Sequence, residues 1–138
     1  MKNNTTLTSI IPLIIGILIP VIANADNQPK IEVLSIEKVM KTDDDSVARL
    51  CLQWELNEKE ITDFFFTAKK FITGAEVNLF DIYPCEIEGT LLLNGVNSKY
   101  SINLGGSAFI YGKNIQQIGF GCSGGECLKY INYKQYPD

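Results

Sequence analysis

Histidine is absent from all 138 residues. That removes Ser-His-Asp and Cys-His nucleophiles, which need an imidazole base. It also removes His-ligated zinc hydrolases. Cys-x-x-Cys is absent too: Cys122 and Cys127 are separated by four residues, and Cys51 and Cys85 stand far away. A thioredoxin-like redox site therefore has no motif. No G-x-G-x-x-G links a strand to a helix and no P-loop lysine follows a glycine run, so a nucleotide site is not expected. Basic charge is in deficit, with 12 Lys and Arg against 16 Asp and Glu, a formal net charge of −4. Such a chain lacks the electrostatic footprint of a nucleic-acid binder. Long apolar runs are also missing. The longest, Ile10 to Ile22, has 13 residues interrupted by Pro12, Gly16 and Pro20, whereas a spanning helix needs about 20.

That short run has a use of its own. The chain opens MKNNTTLTSIIPLIIGILIPVIANADNQ. Lys2 gives a positive start, the apolar stretch follows, and Ala23-Asn24-Ala25 places small residues before Asp26. This is the layout of a secretory signal peptide over residues 1–25. The mature chain, 26–138, is then one globular domain with no membrane insertion after cleavage. Losing Lys2 and no acid moves the charge from −4 to −5.

Four cysteines in a small exported domain read as two disulfides. Three pairings are possible. The favoured one is Cys122–Cys127 with Cys51–Cys85, because Gly124 and Gly125 let the short segment turn back on itself. A Cys₄ zinc site fits poorly with an oxidising compartment, and no metal or cofactor is expected.

Along the mature chain, residues 30–40 suit a first strand. Residues 43–45, three consecutive acids, lack the alternation and glycine of a calcium loop and read as a solvated turn. VARLCLQW, 47–54, alternates like a strand, with Ala48, Leu50, Leu52 and Trp54 on the inward face and Cys51 on the opposite face or at a layer edge. Asn57 and Glu60 form a capping-box pattern, and Ile61, Phe64, Phe65, Ala68, Phe71 and Ile72 follow at helical spacing. One amphipathic helix is thus expected over about 58–72, with Lys69 and Lys70 near its C-terminus and Gly74 as a stop. Asn94-Gly95 signals a hairpin, with Val96 and Asn97 lengthening the turn. Strands are expected up to a last one at 128–133. The fold class is α+β: a twisted antiparallel sheet of about six or seven strands with the helix on one face.

Carboxylates are the remaining catalytic groups. Glu86 and Glu88 stand at i and i+2 of a strand, about 7 Å apart, within glycosidase range. The blander reading is a solvated sheet face. The loop GFGCSGGECLKY, 119–130, is the other feature. A disulfide ring is pre-ordered and loses little entropy on association. Ser123, Gly124, Gly125 and Glu126 would be presented by it, with Tyr130 and Tyr111 flanking. The bland alternative is a structural staple.

The Cys122-Ser123-Gly124-Gly125-Glu126-Cys127 ring followed by Tyr130 resembles the presented loops of bacterial periplasmic lysozyme inhibitors, over about nine residues. The ring lacks that family's central His, and its Ser-Gly to Tyr spacing is longer. The general plan is also similar to periplasmic immunity proteins. The resemblance implies a non-enzymatic, periplasmic or secreted bacterial protein that inhibits a basic toxin or wall hydrolase. The alternatives are a structural or small-ligand envelope module, or a carboxylate-dependent hydrolase.

Overall fold

The computed structural model describes residues 27–71 and 79–131. The leader, Gly74, Tyr133 and the end of the expected last strand lie outside them. Within them the chain is α+β, with an antiparallel sheet of seven strands and two disulfides. The strands are β1 (Ile31–Val33), β2 (Glu37–Met40), β3 (Lys69–Lys70), β4 (Cys85–Leu93), β5 (Val96–Asn103), β6 (Ser107–Tyr111) and β7 (Ile118–Gly121). Two helices, α1 (Asp45–Gln53) and α2 (Glu58–Thr67), precede β3, and a 3₁₀ segment, Gly125–Tyr130, follows β7. The spatial order is β1-β4-β5-β6-β7-β3, with β2 also on β4.

Alternation along the central strands separates two faces. Ile87 and Leu91 of β4, Tyr100 and Ile102 of β5, and Ala108 and Ile110 of β6 are buried on one. Ile61, Phe64 and Phe65 of α2 join them in the core. Phe65 meets Tyr100 and Phe120 edge-on, at centroid distances of 6.0 and 5.0 Å, a geometry that aromatic quadrupoles favour. The capping box forms as its sequence requires: Asn57 accepts from the Glu60 amide while the Glu60 carboxylate accepts from the Asn57 amide. Phe66 is left 39% exposed.

The expected strand at 47–54 is instead α1. Val47, Leu50, Cys51 and Trp54 fit i, i+3, i+4 and i+7 as well as Ala48, Leu50, Leu52 and Trp54 fit alternation. The acids before them decide the matter. Asp44 is the N-cap and accepts from the amides of Ser46 and Val47, which satisfies orphan helix donors. Its carboxyl lies below the ordinary range, first because of the Ser46 hydroxyl and then because of those amides. The acidic run is thus a helix start, not merely a solvated turn. Cys51 is buried, and Leu52, expected inward with Trp54, is 59% exposed.

Three further differences share a tertiary origin. First, α2 stops at Thr67, because Lys69 and Lys70 pair with Gly121 and Phe120 at the open edge of β7. Second, residues 30–40 are two strands, not one. Val33 faces Leu91 and Glu37 faces Glu88, so three residues oppose two. The amides of Leu34 and Ser35 both donate to the Thr90 carbonyl, at 2.8 and 3.2 Å. This is a β-bulge, and it breaks up an edge that would otherwise be available for strand addition. Third, residues 125–130 form the 3₁₀ segment where a final strand was expected. The hairpin turn is also tighter than expected: Leu93 pairs directly with Val96, and Asn94 and Gly95 take φ of 51° and 82°.

Candidate functional site

The ring is closed as the spacing favoured. Cys122 and Cys127 are bonded with Cα atoms 5.8 Å apart, and Cys51 and Cys85 with Cα atoms 5.6 Å apart. Cys122 and Cys127 are 2% and 1% exposed, while Ser123, Gly124, Gly125 and Glu126 are all exposed. The sulfurs thus form an internal base and the four residues between them an external rim.

Both ends of that base are tied to the domain. The Cys122 amide donates to the Gly106 carbonyl at 2.8 Å, which continues the β6–β7 ladder. On the other side the indole N–H of Trp54, itself 2% exposed, donates to the Tyr130 carbonyl at 2.8 Å. Tyr130 is buried, and its hydroxyl donates to the Asp63 carboxylate of α2 at 3.3 Å. Lys59 holds the same carboxylate, and its hydrogen bond is the main reason that carboxyl lies below its usual range. Glu126 pairs with Lys129 at 3.5 Å, and Lys129 sits 5.1 Å from the centre of the Tyr130 ring.

The proposed binding residues therefore separate into three groups. Ser123, Gly124, Gly125 and Glu126 are brought together on the rim. Tyr130 anchors the rim to α2 rather than standing beside it in solvent. Tyr111 is not brought near. It ends β6 at the register of Lys99, while the ring begins beside Ser107 at the other end of that strand. The rise per residue puts about 13 Å between those two positions.

On the sheet face turned away from α2, a second group gathers. Glu86 and Glu88 are half-buried there, and Glu37 stands directly opposite Glu88. The Glu88 carboxyl is raised above its ordinary range. The hydrogen bond with Glu86 is the main cause, followed by burial and the Glu86 charge; Lys41 acts in the opposite sense. Glu86 also accepts from the Asn103 side-chain amide at 3.4 Å. Glu88 therefore holds its proton more tightly than an isolated strand carboxylate does. Among the described residues no set of His, Cys, Asp and Glu could hold a metal.

A pH dependence follows from the raised carboxyl. The native state holds this proton more tightly than the unfolded chain, so the resulting stabilisation is complete below the ordinary glutamate range. It is lost as pH rises through the native value. Glu88→Gln is expected to stabilise the protein near neutral pH and to have almost no effect in mild acid. The gain is roughly a few tenths of a kcal/mol, because water screens the pair. Urea midpoints at the two pH values measure it.

Sequence reasoning missed Asn103, and it placed Trp54 inward, where it lies, without its bond to the Tyr130 carbonyl. Asn103 is 4% exposed and clamps residue 83 by two hydrogen bonds: its side-chain amide donates to the Tyr83 carbonyl at 2.8 Å, and its side-chain oxygen accepts from the Tyr83 amide at 3.0 Å. A buried Asn in a strand is an available signal, since it must find partners. Trp54 gave no such signal, because its bond runs to a backbone carbonyl 76 residues away.

Compared with family models, with curated proteins and with solved structures, the chain matches none. Among the described residues no helix is long and apolar enough to cross a membrane.

Proposed function

We propose that this chain is an exported protein-binding module that inhibits a cell-wall hydrolase or toxin in the bacterial periplasm, as an inhibitor or immunity protein does. The observation that carries this reading is the rim: four consecutive exposed residues held on two buried, disulfide-bonded cysteines. Pre-ordering lowers the entropy lost on docking. Both disulfides agree with export to an oxidising compartment. The net charge of −4 favours encounter with a basic enzyme.

The test is a wall-lysis assay with lysozymes and wall-degrading toxins, titrated with the oxidised protein. Stoichiometric loss of lysis is expected. Ser123→Arg combined with Glu126→Arg should weaken inhibition by about a hundredfold, the scale expected when two residues of an interface are replaced. Full activity of every enzyme at excess protein would overturn the reading.

A second reading, a carboxylate-dependent hydrolase, is favoured by the placing of Glu88 beside Glu86, which raises the Glu88 carboxyl above its ordinary range. Catalytic acids are commonly made in this way. It predicts wall lysis by the protein alone, abolished in Glu88→Gln.

A further inference from the structure

Lysines stand beside the ring although the whole chain is acidic. Two acids beside the ring are engaged, Glu126 with Lys129 and Asp63 with Lys59, while Asp81, next to Phe80 in the chain, is exposed. Lys69 and Lys70 of β3 are exposed and have no ion-pair partner among the described residues. Two unpaired lysines thus stand on the strand beside β7, although the protein is acidic overall.

Lys69 also borders a cleft. About 140 Å³ in volume, it is lined by Lys69, Phe71, Leu79, Phe80, Gly121 and Ser123. Ser123 belongs to the rim, so cleft and ring share a boundary. Phe71 and Phe80 form an apolar wall with ring centres 5.6 Å apart. Gly121 makes that wall possible, since a Cβ there would come within 2.2 Å of the Phe80 ring. Leu79 is 81% exposed at the mouth. An apolar cavity of about 150 Å³ accepts benzene, so this volume suits one aromatic ring.

We propose that this cleft receives an aromatic side chain from an acidic segment of the partner protein, with a neighbouring carboxylate paired to Lys69. The proposal rests on the ring being an interface, and it names the chemistry of what docks there. The apolar wall takes the ring, the ammonium takes the acid, and the lysine stem lies along apolar surface while its charge stays in water. A partner that is basic overall can still present such a segment. The long-range field then governs encounter, and the local pair governs register.

The experiment uses the oxidised full chain and three capped peptides: acetyl-Asp-Phe-Asp-amide, acetyl-Asp-Ala-Asp-amide and acetyl-Lys-Phe-Lys-amide. Amide NMR shifts are followed on titration. The Asp-Phe-Asp peptide should move the signals of Lys69, Gly121 and Ser123, and bind about tenfold more tightly than either of the others. Lys69→Glu should cost about tenfold and Lys69→Gln less, while Lys113→Glu, in an exposed turn beyond β6, changes nothing. No shift at those three amides, or equal binding of the basic peptide, overturns the proposal. The lysis assay separates it from the reading above. If Lys69→Glu still inhibits fully while the ring variant does not, the cleft proposal falls and the interface stands. If the peptide binds through Lys69 but no enzyme is inhibited, the reverse holds.

Discussion

Replacing Cys51 and Cys85 together by alanine is expected to lower stability by about 4 kcal/mol. The bond closes a loop with a sequence separation of 34, and releasing such a loop adds that much freedom to the unfolded chain in the chain-entropy picture. It also joins α1 to β4, two elements the sheet does not otherwise link by hydrogen bonds. Both cysteines are fully buried, so their truncation leaves a small void as well. For a domain of roughly this size the melting temperature should fall by about 15–25 °C. The Cys122–Cys127 bond spans a separation of only 5, and its removal should cost about half as much. Calorimetry on both double variants gives the ranking. A larger loss from the ring bond would show that loop length does not govern these bridges.

Gly89→Ala is expected to destabilise by about 2–4 kcal/mol, the range of a forced backbone shift in a packed site. The bulge folds Ser35 over β4 so closely that a Cβ on residue 89 would lie 2.0 Å from the Ser35 carbonyl oxygen and 2.9 Å from the Tyr100 ring. Neither is the free end of a flexible side chain. The Ser35 carbonyl also accepts from the Tyr100 hydroxyl at 2.9 Å, and the Ser35 hydroxyl accepts from the Thr90 amide at 2.9 Å. Opening the bulge to relieve the clash therefore breaks these bonds as well. Burial pushes the Tyr100 phenol up to about 12. Its proton favours the native state, and that advantage fades as pH climbs from the ordinary tyrosine range through the native value. In the alanine variant this phenol should titrate closer to its ordinary value, which ultraviolet absorbance follows. Gly124→Ala is the matched control, because a Cβ there meets nothing within 4 Å. Equal midpoints for the two variants in urea would contradict the close approach at Gly89.

The ring and the acidic face lie on different parts of the sheet. Glu37, Glu86 and Glu88 cluster on β2 and β4, whereas the ring follows β7 and borders β3, with β5 and β6 between. On the proposed reading, the acidic face would attract a basic surface and the cleft beside the ring an acidic segment. The two regions give the mutational tests different surfaces, so Glu88→Gln should leave peptide binding at Lys69 unchanged.

Local chemistry was enough to read several features from residues alone. The Asn57 and Glu60 capping box needs nothing beyond its own four residues. Asn94-Gly95 supplies the left-handed backbone of a hairpin. A six-residue Cys-x₄-Cys segment with two glycines can close on itself, and that left Cys51 and Cys85 for each other. Alternation from Cys85 to Leu104 was long enough to establish antiparallel pairing. Other features depended on distant partners. VARLCLQW satisfies helix and strand periods at once, and the Asp44 cap with the packing of Trp54 and Cys51 selected the helix. Lys69 and Lys70 left α2 because β7 offered an unpaired edge. The 3₁₀ segment took the place of a strand because the Trp54 indole holds the Tyr130 carbonyl there. The sequence by itself determined the Asn57 and Glu60 capping box, the Asn94-Gly95 turn and the Cys122–Cys127 bridge, because each rests on interactions within a few residues; the Cys51–Cys85 bridge, with a separation of 34, followed by elimination. Only the tertiary structure decided that Tyr130 is an anchor, that Tyr111 stands apart from the ring, and that a lysine and two phenylalanines meet beside it. Those placements come from strand register and edge pairing, whose energies belong to contacts between residues far apart in the chain.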